Sequence, residues 1–148
     1  MQTKPRTVIR ALTYKPKIEA VRNGTCRQTI RINSKEKVGD ILLLHGWSSR
    51  PYFSTWNWRM SVPVTEAIPI TITKDTVFTK VVLNPIDEHD EWIDRRELGY
   101  RWTNLNELAR LDGIDPPTGI ELQNVLLKKN KKLFQENPYG VAAQVLRW

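Results

Sequence analysis

One cysteine, two histidines, two methionines and no long apolar run set the first limits on this chain of 148 residues. Cys26 alone can close no internal disulfide and can give a metal only one thiolate, which excludes a disulfide scaffold and a zinc quartet. No apolar stretch approaches the roughly 18 residues that span a bilayer, so no membrane contact is expected. The opening Met1-Gln2-Thr3-Lys4-Pro5-Arg6 has no apolar segment behind it of the kind a secretory leader carries, and a cytoplasmic location is the expectation. Internal repeats and low-complexity segments are also missing. His45 follows an apolar run and reads as a core or rim histidine. His89 stands in Asp87-Glu88-His89-Asp90-Glu91, whose spacing fits neither an EF-hand nor a zinc site. No metal or cofactor is implied.

What the chain does have is positive charge, unevenly placed. Residues 1–60 hold 12 Lys/Arg against 3 Asp/Glu, a net of +9, whereas residues 61–148 hold 11 against 13, a net of −2. An excess confined to one part of the chain favours an anionic partner, nucleic acid first, although a solubilising surface would carry the same charge. With 40% hydrophobic and 26% charged residues the composition is that of a globular domain. The length suffices for one α+β domain over residues 1–148 with its own core.

Val8 to Tyr14 reads as a first strand. Pro16 then opens a short helix, where its missing N–H leaves no partner wanting, with Ile18 and Val21 on the buried side and Gly24 as the left-handed stop. Ile41 to Leu44 is a continuous apolar run, hence a strand covered on both faces. Gly46 to Ser54 reads as a loop. Trp56, Trp58, Met60, Val62, Val64, Ile68, Ile70 and Ile72 then alternate with mostly polar neighbours, which predicts one long strand or two, broken near Pro63 or Pro69. Val77 to Leu83 is a further strand candidate, and residues 85–102 read as an acidic, solvated insertion. Asn104/Glu107 and Thr118/Glu121 have capping-box spacing and open two helices. Val141 to Trp148 closes the domain as a strand.

The segment richest in chemistry is Gly24-Thr25-Cys26-Arg27-Gln28-Thr29-Ile30-Arg31, followed by Val38-Gly39-Asp40 and the apolar strand. In alternating geometry Arg27, Thr29 and Arg31 share one face, opposite Gln28, Ile30 and Ile32. Ile30 and Ile32 belong to the core, so the basic face is expected to point away from it and to suit a polyanion. Arg31 is equally satisfied by an ion pair with Asp40, and Thr29 needs no function beyond its strand propensity.

This order of strand, short helix, Gly-x-x-x-Gln-Thr-Ile-Arg, then Val-Gly-Asp and an apolar strand resembles the ASCH domain, a small β-barrel of the PUA-like group. The resemblance covers most of residues 7–72 and returns more loosely at Asp112-Gly113-Ile114 and at the last strand. It implies a PUA-like barrel with short helices packed against it, and a cleft beside the basic strand for RNA or a nucleoside. Some members deacetylate N4-acetylcytidine, and some are linked to RNA cleavage. The hydrolase-type members carry a lysine two residues after the glycine, a threonine three residues later, and a carboxylate near the helical segment. Thr29 matches the threonine and Asp112 stands near the carboxylate position, but Cys26 occupies the lysine position. Lys15 or Arg27 would be the nearest substitutes, while Cys26 itself reads as a small buried filler. Asp112 is also explained as the last residue of a helix before Gly113.

The functional expectation is therefore RNA or nucleotide binding in a cationic cleft. Arg27 and Arg31 would contact the ligand, Thr29 would add a short-range polar contact, and Lys15 and Lys17 would extend the phosphate track. Trp47, Arg50 and Tyr52, in the loop, would form a stacking wall, with Arg59 reaching phosphate or base. Trp56 and Trp58 fall in phase with the core side, which favours packing for at least one of them. The alternatives are a hydrolase acting on a modified nucleoside or RNA through Thr29 and Asp112, and a protein-interaction module built on the acidic stretch 87–97. Lys128 to Lys132 either widens the basic footprint or forms the exposed end of a helix.

Overall fold

The computed structural model describes residues 5–49, 54–73, 77–79, 100–101 and 104–148. The chain runs β1 (Thr7–Ala11), α1 (Lys15–Arg22), β2 (Gln28–Ile32), β3 (Ile41–Trp47), β4 (Trp56–Pro63), β5 (Glu66–Ile72), β6 (Val77–Thr79) and β7 (Tyr100–Arg101). It continues through α2 (Leu105–Leu111), α3 (Gly119–Lys129) and α4 (Lys131–Glu136) to β8 (Val141–Arg147). The α+β expectation holds. The strands form a three-stranded sheet in the order β1-β3-β4 and a five-stranded sheet in the order β2-β8-β5-β6-β7. No ladder joins the two sheets among the described residues, so the fold stands as two sheets with helices. No described helix is long and apolar enough to cross a membrane.

Two apolar clusters hold the layers together. One face of the five-stranded sheet, with Ile30, Ile68, Ile70 and Val145, packs on Leu108, Leu122 and Leu126 of α2 and α3. The second cluster gathers Leu146 and Trp148 from the last strand and its end, Leu42 and Leu44 from β3, Val62 from β4 and Val21 from α1, filling the space between the sheets. Fully burying each such aliphatic side chain is worth roughly 1.5–3 kcal/mol, so the apolar runs of β3 and β8 specify this stacking strongly. Leu42, Leu44, Val145 and Leu146 are wholly inaccessible to solvent. The helices begin where the capping boxes place them: the Asn104 and Thr118 side chains accept from the Glu107 and Glu121 N–H groups, both at 3.1 Å.

Two expectations change, and the break expected near Pro63 or Pro69 falls at the first. Gly46 and Trp47 belong to β3 rather than to a loop. The long alternating segment breaks at Pro63, where β4 ends, and runs straight through Pro69, which sits in β5 opposite Gln144. Among the described residues the β5–β6 ladder pairs Ile70 to Ile72 and makes no use of the N–H that Pro69 lacks. The tryptophan parity also fails at one point. Gly46 pairs with Trp58 and Trp47 with Trp56, which leaves Asn57 as the extra residue of a bulge. Trp58 therefore packs against the core, while Trp56 is re-aimed onto the ring of His45, stacked at 3.8 Å and still 36% exposed. Gly46 is required here, because a Cβ on it would lie 2.3 Å from Trp58 Nε1. Most of the proposed acidic insertion, Arg50, Tyr52, His89 and the outer part of the Val77 to Leu83 strand lie outside the described residues.

Candidate functional site

Among the described residues β1 and β2 are edge strands of different sheets, and the gap between them is a cavity with polar lining beside the basic motif. It encloses about 440 Å³, in the range of small-molecule sites, and is lined by β1, β2, the turn after α2 and one face of α3. Arg31 bridges the two edges by donating from Nη2 to the Ala11 carbonyl at 2.8 Å. Tyr14 ties the start of α1 to the segment after α2: its hydroxyl donates to the Asp115 carbonyl at 3.0 Å and accepts from the Asp115 N–H at 3.1 Å.

On the inner wall three buried side chains meet. Lys17 Nζ donates to Thr29 Oγ1 at 3.1 Å and pairs with Asp112 Oδ1, also at 3.1 Å. Lys17 arrives from α1, one helical turn before Val21, which is fully buried; the i, i+4 spacing carries both side chains inward. Thr29 arrives from β2, and Asp112 from the C-cap of α2. Gly113 lets that turn come so close, since it has φ +74° and a Cβ there would stand 3.3 Å from both Cys26 Sγ and the Lys17 Cα. Gln28 fixes the carboxylate from behind, donating from Nε2 to Asp112 Oδ1 and to the Leu108 carbonyl at 3.3 Å each, while its Oε1 accepts from Arg147 Nε at 3.0 Å.

Burial drives the electrostatics. It pushes the Asp112 carboxyl above the ordinary carboxylate range, against the opposing pull of Lys17, Gln28 and Arg31. It lowers the Arg31 guanidinium to about 10, with Arg10 adding to the effect. Lys129, at the mouth, is lowered by burial and then by the charges of Lys17 and Arg31, and its Nζ donates to Thr13 Oγ1 at 3.0 Å. Arg10, Lys17, Arg31 and Lys129 line the cavity together with one carboxylate, Asp112. A second carboxylate, buried Glu36, lies beyond the lining and pairs with Arg10. The cavity therefore carries an excess of positive charge, and the buried Arg31 Nε has no hydrogen-bond partner among the described residues. Such a site attracts an anion or an acceptor-rich ligand.

The sequence-predicted residues divide accordingly. Thr29, Arg31, Lys17 and Asp112 come together, but Thr29 and Arg31 line a partly open cavity rather than a fully exposed strand face, because α1 and β1 stand against that side of β2. Lys17 is not part of an exposed phosphate track: it is buried and pairs with Asp112. Cys26 is the buried filler expected, with burial raising its thiol pKa and Sγ donating to the Gln28 and Leu111 carbonyls. Asp112 is the C-cap of α2, as the helix-end reading has it, and its carboxylate also pairs with Lys17. Arg31 bonds the Ala11 carbonyl; the partner of Asp40 is Arg6. Arg27 is exposed and does not line the cavity, because it precedes the first paired residue of β2. Arg59 is likewise exposed on β4, away from the site. Lys15 and Trp47 lie together on a different, neighbouring cavity. The sequence reading missed Arg10 and Tyr14, and held Lys129 only as one member of the Lys128 to Lys132 run. The heptad-like spacing of Lys129 behind Leu122 and Leu126 on α3 was the one local signal available for it. No protein-family model, curated protein or solved structure matches the chain.

Proposed function

We propose that this chain is an ASCH-type, PUA-like domain that binds a nucleotide or a single residue of RNA between β1 and β2 and hydrolyses an acyl group from a modified base. The observation that carries the reading is the Lys17 ammonium held 3.1 Å from both Thr29 Oγ1 and Asp112 Oδ1 on the cavity wall. It restores the lysine–threonine–carboxylate set of the hydrolase-type members, with the lysine coming from α1 in place of position 26. The corner between β4 and β5, where the Val64 N–H donates to the Asp40 carbonyl and the Thr65 N–H to the Arg147 carbonyl, each at 2.8 Å, supports taking the two sheets as halves of a PUA-like barrel. The surplus of cations supports an anionic ligand.

The chemistry follows from the order of the groups. Thr29 Oγ1 accepts from Lys17 with one lone pair, so the other remains to face an incoming acyl carbon. As Oγ attacks, its proton passes to Lys17 while Lys17 gives one to Asp112, whose raised affinity for protons suits that role. Collapse of the tetrahedral adduct breaks the C–N bond, the base amine takes the proton back, and water then cleaves the threonine ester to free the carboxylic acid. The test is incubation of the full chain with N4-acetylcytidine, free and within a short single-stranded RNA, read by mass. Wild type is expected to release acetate, and Thr29→Val to lose at least about a thousandfold in rate while still binding. Turnover unchanged in Thr29→Val refutes the assignment. Salt-sensitive binding by wild type without product leaves a binding module and removes the enzyme.

A further inference from the structure

Beside the first cavity lies a second one of about 530 Å³, and Leu12 and Thr13 line both. Its other walls are Lys15 and Arg22 from α1, Trp47 and Ser48 from the end of β3, and Asn57 and Trp58 from β4. Lys15 and Arg22 are exposed at the rim, and no carboxylate lines it among the described residues. The Arg22 guanidinium already rests over the Trp58 ring, 5.8 Å from its centroid. The Asn57 amide is presented by the bulge that breaks the β3–β4 register. Aromatic faces, a bidentate amide and two rim cations are what a stacked base and its phosphate require.

From this juxtaposition we infer that the second cavity is a subsite for the nucleotide next to the one held between β1 and β2, so that the ligand is a single-stranded oligonucleotide and not a free nucleoside. The inference rests on the nucleotide reading of the first cavity and adds to it the substrate's length. Lys15 and Arg22 contact the phosphate on the second nucleotide, Trp47 or Trp58 offers the stacking face, and Leu12–Thr13 forms the threshold between the two subsites. A mononucleotide fills only the first cavity and never reaches Lys15.

The test compares a mononucleotide with short single-stranded RNA by titration at two salt concentrations, for wild type and for the Lys15→Ala/Arg22→Ala double variant. Wild type is expected to bind the oligonucleotide much more tightly than the mononucleotide. The double variant should lose about tenfold or more for the oligonucleotide, lower the salt slope by about 0.7, and bind the mononucleotide as wild type does. Both exchanges are at exposed positions, so an unchanged unfolding midpoint separates lost contacts from lost folding. An oligonucleotide that wild type binds no better than a mononucleotide, or an oligonucleotide affinity indifferent to the double variant, overturns the subsite. Should wild type bind the oligonucleotide through Lys15 and Arg22 yet ignore the mononucleotide, the subsite stands and the reading of the first cavity falls. Failure to bind either ligand rejects both.

Discussion

The two cavities on either side of Leu12–Thr13 are both cationic, yet they hold their charges in opposite ways. In the first, Lys17 and Asp112 are buried against each other and Arg31 is locked onto a backbone carbonyl. In the second, Lys15 and Arg22 stand at an exposed rim beside tryptophan faces. Buried charges are tolerable only when paired, and they then fix distances to within a hydrogen bond. Exposed charges cost nothing to leave unpaired and remain available to a flexible polyanion. The first arrangement suits a reaction at one point, the second suits capture along a strand.

The sharpest way to break this contrast is to remove one partner of the buried pair. Lys17→Met removes the ion-pair partner of buried Asp112, leaving it only the hydrogen bond from Gln28, and is expected to cost about 3–5 kcal/mol in urea unfolding at neutral pH. The sign with pH is fixed. Without Lys17, the folded-state pKa of Asp112 rises further above its unfolded value, so the folded chain holds that proton more tightly. The deficit is therefore smallest in acid and grows as pH rises through the folded pKa. Adding Asp112→Asn to Lys17→Met should recover part of the loss, and a double variant no more stable than the single one would show that the pair is not what burial has to satisfy.

A smaller effect tests the aromatic side. Gly46→Ala places a Cβ against Trp58 Nε1 and should cost roughly 1–3 kcal/mol in thermal or urea unfolding. It would also shift the Trp58 ring and weaken oligonucleotide binding without touching the first cavity. Unfolding at the wild-type midpoint would mean that Trp58 moves aside freely and is no fixed wall.

The mildest expectation concerns Lys129, whose folded pKa lies below that of an ordinary lysine. An anionic mononucleotide should bind more weakly as pH rises through that depressed value, since the cation at the mouth is lost there first. Lys129→Arg should move the decline to higher pH, and an identical profile in the variant would assign the pH dependence to another group.

What local pattern could reveal is clear from these residues. The proline-opened helix α1, the capping boxes of α2 and α3, and the apolar runs of β3 and β8 were legible because each depends on neighbours a few residues away. The face shared by Thr29 and Arg31 was legible too, from strand parity alone. Its surroundings were not: whether that face meets water or a cavity depends on β1 and α1 folding over it. The bulge at Asn57 likewise has no signature in the alternation it interrupts, because it answers to the close contact between Gly46 and Trp58 across the ladder.

The sequence by itself determined the helix starts, most of the core strands, the concentration of positive charge in residues 1–60 and the presence of Thr29, Arg31 and Asp112 in the chain. Only the tertiary structure decided that Lys17, 12 residues before Thr29, joins it to Asp112, 83 residues further on, while Arg27, two residues away, is left outside. The physical reason is range. Propensity, capping and parity act over a few residues, whereas a buried charge chooses its partner among whatever groups the packed sheets and helices bring within hydrogen-bond reach.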